Sequence, residues 1–296
     1  MTVLVAGAAG QLGREMARVF AEEWQVVALP RDELDITDQE AVLRVIKKAA
    51  PAVIVNCAAY NDVDGAEVEP VTAMQVNGLA VRSLAEAAKQ TGAMLVHYST
   101  DFVFDGETDR LHCESTDPRP QSVYATSKLV GEWFARLAPN HYVLRVESLF
   151  GGEEEPAVGG RLQSGSTLDR MVDALLEGRP VYGFSDRTVS PSYVPDVSTA
   201  TLELVRLQPE AGIYHCVNTG SATWFEIARV AAGRLESDSD LLPVTIDEVE
   251  LRAVRPKFCA LSNQKLAAAG IPMPTWEDAL GRYLAERQAM ALGKME

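Results

Sequence analysis

The fold of this chain is decided by Val3-Leu-Val-Ala-Gly7-Ala-Ala-Gly10-Gln-Leu-Gly13. An apolar run enters a turn with three glycines, and a helical pattern starts at Arg14. A strand, a tight turn and a helix N-terminus present free backbone N–H groups and the positive end of a helix dipole. The glycines let a ligand approach the backbone closely. The stretch predicts a binding site for a nucleotide diphosphate. The spacing G-x-x-G-x-x-G differs from the G-x-G-x-x-G of many dehydrogenases, so a turn that only connects strand to helix is the alternative.

Predicted strands and helices alternate regularly from residue 2 to about residue 150. The predicted strands are Thr2–Ala6, Gln25–Leu29, Pro51–Ala59, Ala93–Thr100 and His141–Val146. The predicted helices are Gln11–Glu22, a segment from a cap at Thr37 or Asp38 to Ala49, Pro70–Thr91, and Gln121–Leu137. Right-handed β–α–β units require a parallel sheet with helices on both faces. We predict an α/β fold with a doubly wound (Rossmann) parallel sheet, and residues 1–150 as a dinucleotide-binding domain.

The pattern is less regular in residues 151–296, which we predict to form a smaller mixed C-terminal lobe that binds substrate. Partial returns to the sheet are expected, for example at the short strand Ile213–Val217. The helices predicted here are Leu168–Leu176, Trp224–Arg234 and Trp276–Met290. Residues 151–160 are rich in glycine and glutamate. They are either a solvated surface loop or a lid over the site.

The net charge, the cysteine spacing and the lengths of the apolar runs restrict the partners that the protein binds and the compartment in which it is found. The formal net charge of −15 argues against nucleic acid and anionic membranes as partners, since both are polyanions. The four cysteines show no C-x-x-C spacing, which predicts reduced thiols and no zinc site. The chain enters a strand at once and has no apolar run of membrane-spanning length. We therefore expect a cytoplasmic protein without a signal peptide.

The strongest chemical signal is Tyr124-Ala-Thr-Ser-Lys128 on a predicted helix. Positions i and i+4 share one face, so the ammonium group is expected to lower the pKa of the phenol toward neutrality and make it a usable acid and base. An exposed pair of no consequence is the alternative. The preceding strand ends in Ser99 and Thr100, at the edge where ligands bind in doubly wound sheets. These hydroxyl groups, the Tyr/Lys pair and the glycine turn should therefore converge on one crevice.

Together these motifs resemble the extended short-chain dehydrogenase/reductase family. The resemblance also includes Asn56-Cys-Ala-Ala59 and Ser99-Thr-Asp-Phe-Val-Phe104, and it covers nearly the whole chain. Within this family the chain is most similar to the dTDP-4-dehydrorhamnose reductase group, with supporting stretches at Leu34–Asp38, Ala59–Asp64 and Arg255-Pro256.

The resemblance implies four roles around the reacting carbonyl group. Tyr124 is the general acid, and Lys128 tunes it and binds the nicotinamide ribose. Thr100 orients the carbonyl group, with Ser99 as the neighbouring alternative. Asn77 supports the lysine through backbone and water, unless it is an ordinary helix-surface asparagine.

The resemblance also implies a cofactor site. Its implied residues are Gly7, Gly10, Gln11, Leu12 and Gly13 of the turn, Arg31, Asp35 and Ile36 near the adenosine, Ala58, Ala59 and Tyr60 along the diphosphate and ribose, and Asn77, Tyr124 and Lys128. A basic residue after the second strand accommodates the 2′-phosphate of NADP, and an acidic one holds the 2′-hydroxyl of NAD. Arg31 comes first and favours NADP(H), whereas Asp32 follows at once and keeps NAD(H) open.

On the substrate side the resemblance implies contacts from Val63, Thr100, Asp101, Tyr124 and Arg255. Arg255 would hold a phosphate of a nucleotide sugar, for which a planar guanidinium is well suited. A surface ion pair is the alternative for this arginine. The chain departs from the group at Ser148, where rhamnose-pathway reductases often have tryptophan, and no metal site is carried over.

The implied function is NAD(P)H-dependent reduction of a 4-keto group on a nucleotide-linked deoxysugar, by a protein that is expected to form a homodimer. One alternative is a nucleotide-sugar epimerase or dehydratase of the same superfamily. The other is a non-catalytic NADP-binding regulatory subunit that resembles the β subunit of methionine adenosyltransferase. The intact Tyr/Lys pair argues against the regulatory subunit, and Asp101-Phe102 after the active-site threonine fits a reductase better than a dehydratase.

Overall fold

The computed structural model describes residues 1–152 and 165–293. Its strands are β1 (Thr2–Ala6), β2 (Gln25–Leu29), β3 (Val53–Asn56), β4 (Met94–Thr100), β5 (His141–Val146), β6 (Leu149–Phe150), β7 (Val181–Phe184), β8 (Thr188–Val189), β9 (Ser192–Tyr193), β10 (Gly212–His215), β11 (Ala222–Thr223) and β12 (Leu241–Val244). Its α-helices are α1 (Gln11–Ala21), α2 (Gln39–Ala49), α3 (Val63–Val68), α4 (Pro70–Met74), α5 (Ala80–Thr91), α6 (Val123–Ala135), α7 (Thr167–Leu176), α8 (Val194–Leu207), α9 (Trp224–Leu235), α10 (Gln264–Ala268) and α11 (Trp276–Gly293).

The central sheet has six parallel strands in the order β10-β5-β4-β3-β1-β2. Val5 of β1 lies between Ala28 of β2 and Val55 of β3. All four residues of β3 are buried, as expected for a strand covered on both faces. The predicted doubly wound α/β fold is therefore confirmed. The third predicted strand is shorter than expected, because the chain leaves the sheet after Asn56.

Several helix ends follow from local sequence. Asp38 accepts a hydrogen bond from the backbone N–H of Ala41, and Thr223 forms a capping box with Glu226. Gly92 ends α5 in the left-handed conformation, with φ of 75°.

The predicted helix Pro70–Thr91 contains a π-helical turn at Gln75–Leu79, between α4 and α5. Because a π-turn adds a residue, it rotates the helix face that follows. The side chain of Leu79, the last residue of this turn, is 50% exposed. The same turn buries Asn77, which is only 1% exposed.

Two hydrophobic layers cover the sheet. One face packs against α1 and α8, with Met16 and Phe20 in its core. The other packs against α2 and α5, with Ile46 and Leu84 in its core. Helix α8 and strand β10 come from the second half of the chain, so this half contributes to the sheet layers.

A separate core joins α7, α9 and α11 with the short strands around them, and Phe150 and Trp224 lie within it. The predicted surface loop or lid at residues 151–160 extends into 153–160, which lie outside the described residues. No helix in the described part of the chain is long and apolar enough to cross a membrane.

Candidate active site

A cleft of about 900 Å³ opens at the carboxyl ends of the central strands. It is the crevice expected for a doubly wound sheet. Twelve of the residues predicted from the sequence line it: Gly10, Gln11, Leu12, Gly13, Ala59, Val63, Ser99, Thr100, Asp101, Tyr124, Lys128 and Arg255. The predicted residues Gly7, Arg31, Asp35, Ile36, Ala58, Tyr60 and Asn77 are outside this lining.

The glycine turn forms one end of the cleft and leaves no room for a side chain at Gly7 or Gly13. Gly7 has φ of +76°, and a Cβ atom there would lie 2.6 Å from the backbone nitrogen of Ala58. A Cβ atom on Gly13 would lie 2.2 Å from the carbonyl oxygen of Gly7. No described side chain caps the start of α1, so its first N–H groups face the cleft. This is a cradle that fits the diphosphate of a dinucleotide.

The end of β2 is attached to the same turn, because the backbone N–H groups of Gly7 and Ala8 donate to the carbonyl oxygen of Leu29. Arg31 follows two residues later, is 84% exposed, and has its Nε 3.9 Å from Asp35 Oδ2. The Asp35 carboxylate accepts hydrogen bonds from Thr37, which lower its pKa. The predicted adenosine contacts of Arg31 and Asp35 stay predictions.

The side chain of Ile36 is not part of the cleft lining. It is buried in the core between the sheet and helices α2 and α5. This burial leaves only its backbone for the predicted contact with the adenosine.

Asn77 supports the loop after β3. Its Oδ1 accepts from the Tyr60 backbone N–H at 2.8 Å, and its Nδ2 donates to the Tyr60 carbonyl at 3.0 Å. Nδ2 also contacts the Ser127 hydroxyl at 3.0 Å, and Ser127 donates to the carbonyl oxygen of Tyr124 at 2.7 Å. Asn77 therefore joins the loop of Tyr60 to the helix that carries Tyr124.

Tyr124 is buried and faces the residues that end β4. Its ring packs edge-on against Phe102 with centroids 5.7 Å apart. The Thr100 hydroxyl donates to Asp101 Oδ1 at 2.9 Å. Burial raises the pKa of the Tyr124 phenol and the nearby Asp101 raises it further, whereas a hydrogen bond with Thr100 lowers it. The phenol is therefore held in its protonated form, which suits a proton donor.

Lys128 is buried beneath the cleft, and its Nζ donates to the carbonyl oxygen of Tyr98 at 2.6 Å. Burial lowers the pKa of Lys128 to about 8, against the opposing effect of Glu132. The expectation that Lys128 brings the pKa of Tyr124 down toward neutrality is wrong in this structure. The ammonium group is directed to a backbone carbonyl, so burial dominates at the phenol.

The Ser99 hydroxyl donates its hydrogen bond to a different residue than the Thr100 hydroxyl does. Its hydroxyl donates to Glu132 Oε1 at 2.6 Å. Glu132 also forms a bidentate ion pair with Arg145, at 2.8 Å for both bonds, and both side chains are at most 1% exposed. The Ser99 hydroxyl is thus engaged in a buried structural network, which favours Thr100 as the hydroxyl available to a substrate.

Two further predicted substrate residues line the cleft near Phe102. Val63 begins α3, and Arg255 pairs with Asp64 at 2.8 Å. The guanidinium of Arg255 also lies 5.8 Å from the centre of the Phe102 ring. Ser148 lines the cleft with φ of 48°, a left-handed conformation unusual for serine.

Sequence reasoning missed many residues of the cleft region, among them Asp64, Arg187 and Glu147. Arg187 lines the cleft and lies 5.2 Å from the centre of the Phe102 ring. Glu147 is buried behind the cleft and accepts from the Ser190 backbone N–H at 2.8 Å. Their partners are distant in sequence, so no local pattern marks them.

The parallel sheet, the glycine cradle and the buried Tyr124, Lys128 and Thr100 define the class of a dinucleotide-dependent oxidoreductase. Residues 1–289 match the family model described as RmlD substrate binding domain. The chain belongs to this family, and its predicted resemblance to the dTDP-4-dehydrorhamnose reductase group is confirmed.

The relatives extend over almost the whole chain. It is 36% identical over 286 residues to a dTDP-4-dehydrorhamnose reductase of Streptomyces griseus, covering 94% of this chain and 91% of the relative. It is 34% identical over 285 residues to a probable dTDP-4,6-dihydroxy-2-methyloxan-3-one 4-ketoreductase of Streptomyces antibioticus, covering 95% and 93%. A crystal structure of dTDP-4-dehydrorhamnose reductase from Bacillus anthracis in complex with NADP superimposes with a TM-score of 0.88 at 32% identity, covering 96% of this chain and 99% of that one.

Proposed function

We propose that this protein uses NADPH to reduce the 4-keto group of a dTDP-linked deoxysugar. The observation that carries the proposal is the meeting of Tyr124 and Thr100 at the floor of the cleft whose end is the glycine cradle. The relatives named as reductases and the NADP complex of the Bacillus anthracis enzyme support the choice of reaction and cofactor.

Each residue at the floor has a defined task in this reaction. Bound NADPH supplies the hydride for the carbonyl carbon. Tyr124 gives its proton to the sugar oxygen, and Thr100 orients that oxygen by a hydrogen bond. Lys128 holds a positive charge beneath the cleft, which stabilises the negative charge that develops on the oxygen.

The cofactor lies along the glycine cradle in this proposal. Its contacts come from Gly7, Gly10, Gln11, Leu12 and Gly13, from Ala58, Ala59 and Tyr60, and from Arg31, Asp35, Ile36, Asn77, Tyr124 and Lys128. The substrate contacts Val63, Thr100, Asp101, Tyr124 and Arg255.

We also propose that residues 1–150 form the dinucleotide-binding domain and residues 151–296 the substrate lobe with partial returns to the sheet. The separate core around α7, α9 and α11 supports this division.

Replacing Arg31 tests the preference for NADPH. We expect Arg31→Ala to raise KM for NADPH about tenfold or more and to change KM for NADH much less, because charged hydrogen bonds to a phosphate are lost. Initial rates with each cofactor measure this. Arg44→Ala, at an exposed position of α2, is the matched control. Equal changes in both KM values would refute the assignment.

The pKa of Lys128 predicts a pH dependence. The ammonium group loses its proton as pH rises through about 8. We expect kcat/KM for the reduction to fall above that pH, because the positive charge beneath the cleft is lost. A pH profile measures it, with circular dichroism at each pH to exclude unfolding. A profile that stays level well beyond this pH would show that Lys128 keeps its proton or that its charge is dispensable.

The alternatives differ in their use of cofactor. The proposal predicts net oxidation of one NADPH for each 4-keto sugar reduced. An epimerase or dehydratase restores its cofactor in each cycle and shows no net oxidation. A regulatory subunit shows no turnover of any keto-sugar and copurifies with a partner. A screen of dTDP-linked 4-keto sugars that follows NADPH absorbance identifies the reductase, and analysis of the sugar products separates an epimerase or dehydratase from a regulatory subunit.

Two further predictions concern the oligomeric state and the cellular location of the protein. A homodimer is expected, and sedimentation measures it. A cytoplasmic location is expected, and fractionation of the source cells measures it.

The two Streptomyces relatives are named for different dTDP-linked keto-sugars at nearly the same identity. The screen should therefore include both sugars.

A further inference from the structure

Two buried carboxyl groups lie side by side at the wall of the cleft. Asp101 and Glu147 are 2% and 1% exposed. Each offers an oxygen to a cluster, shared with the thiol of Cys259, whose atoms lie within 4.8 Å of one another. Asp101 lines the cleft, and Glu147 lies behind it. Two carboxylates this close in a buried place repel each other strongly unless a proton or a cation intervenes.

On each carboxyl group, one oxygen accepts a hydrogen bond and the other has no partner among the described residues. Asp101 Oδ1 accepts from Thr100, and Glu147 Oε2 accepts from the Ser190 backbone N–H. The other two oxygens, Asp101 Oδ2 and Glu147 Oε1, have no hydrogen-bond partner among the described residues. Buried acceptors are rarely left unpaired. One proton held between the two carboxyl groups satisfies both oxygens.

The charges around the pair also indicate that the two carboxyl groups hold one proton between them. The positive charge of Arg187 lowers the pKa of both carboxyl groups. The other titratable groups facing Asp101 are Cys259, Tyr124 and His112. Burial raises the pKa of the Cys259 thiol and of the Tyr124 phenol, and burial lowers the pKa of His112, so these three groups stay neutral. One arginine balances one carboxylate, and one added proton makes the cluster neutral.

We propose that Asp101 and Glu147 share one proton, and that Glu147 is thereby a positioning residue for the reduction. The pair holds Asp101 against the Thr100 hydroxyl and keeps a second negative charge away from Tyr124. This matters because the sugar oxygen becomes negative as the carbonyl group is reduced, and a doubly charged pair beside it would oppose that change. Burial, together with the neighbouring Asp101, also raises the pKa of Glu147 well above its usual value. The catalytic part rests on the proposed function, whereas the shared proton does not.

Infrared spectroscopy tests the shared proton directly. Difference spectra near neutral pH compare the full-length protein with Asp101→Asn and Glu147→Gln, which keep the size of each side chain. We expect the C=O band of a protonated carboxyl group in the unchanged protein and its loss in both variants, because the single remaining carboxylate is then balanced by the charge of Arg187. Glu226→Gln, in the capping box of α9, is the control and should keep the band.

Three results would overturn the shared proton. The band could be missing from the unchanged protein. It could survive in either variant, which would mean that burial alone protonates one group. The purified protein could carry a stoichiometric metal ion that Glu147→Gln loses, which would place a cation between the carboxylates. These spectra are recorded without substrate, so they remain decisive even if no keto-sugar is reduced.

Kinetics test the positioning role. We expect Glu147→Ala to lower kcat about tenfold or more, since small displacements of reacting groups are costly, with KM for NADPH little changed. Glu147→Gln should lose much less, because its amide can donate to Asp101 Oδ2 and restores a single negative charge. Glu147→Met fills the same space without a polar atom and should lose as much as Glu147→Ala. A kcat for Glu147→Met close to that of Glu147→Gln would show that Glu147 only fills space.

Discussion

Replacing Tyr124 with phenylalanine is expected to lower kcat by about 10²–10⁴-fold while NADPH binding changes little. The phenol is buried at the floor of the cleft and held in its protonated form, with Thr100 beside it. Phenylalanine keeps the ring and its edge-on contact with Phe102 but supplies no proton. The rate of NADPH oxidation with saturating keto-sugar measures kcat, and fluorescence titration measures cofactor binding.

Tyr182→Phe is the matched control for this loss. Tyr182 lies on β7 and is 60% exposed, outside the cleft lining. Its variant should retain the rate of the unchanged protein. Normal turnover by Tyr124→Phe would show that another group protonates the sugar oxygen.

Replacing Glu132 with glutamine is expected to lower the free energy of unfolding by about 3–5 kcal/mol. Glu132 is fully buried, and its carboxylate holds both Arg145 and the Ser99 hydroxyl. The change leaves the guanidinium of Arg145 buried without a compensating charge. Urea unfolding followed by circular dichroism gives the difference.

Two comparisons make this test specific. Glu86→Gln removes the same charge from the exposed pair with Arg82 and should cost less than about 1 kcal/mol. The double variant Glu132→Leu with Arg145→Met should recover much of the stability, because it leaves no buried charge unpaired. A loss for Glu132→Gln as small as that for Glu86→Gln would contradict the buried character of the pair.

The parts predicted well from the sequence depend on local patterns. Apolar strands alternating with amphipathic helices required the parallel sheet, and β1, β2 and β5 have the predicted bounds. The glycine turn could be interpreted because its strand and helix are adjacent in sequence. The spacing of Tyr124 and Lys128 placed both on one helical face, and both line the cleft.

The parts that could not be predicted depend on tertiary contacts. The π-turn at Gln75–Leu79 changes the helical register, and nothing in the periodicity of that segment signals it. The direction of the Lys128 ammonium depends on the Tyr98 carbonyl of another element. Arg187 and Glu147 come from segments about 40 residues apart, and only the folded chain shows that they meet Asp101.

Transfer of deuterium from NADPH carrying two deuterium atoms at C4 of the nicotinamide tests the central claim most directly. The purified protein is incubated with dTDP-4-dehydrorhamnose, and the product is analysed by mass spectrometry and NMR. Reduction by the proposed route predicts one deuterium at C4 of the sugar for each NADPH oxidised, and loss of that label in Tyr124→Phe. An unlabelled product, a label elsewhere on the sugar, or no oxidation of NADPH with any dTDP-linked 4-keto sugar would contradict it.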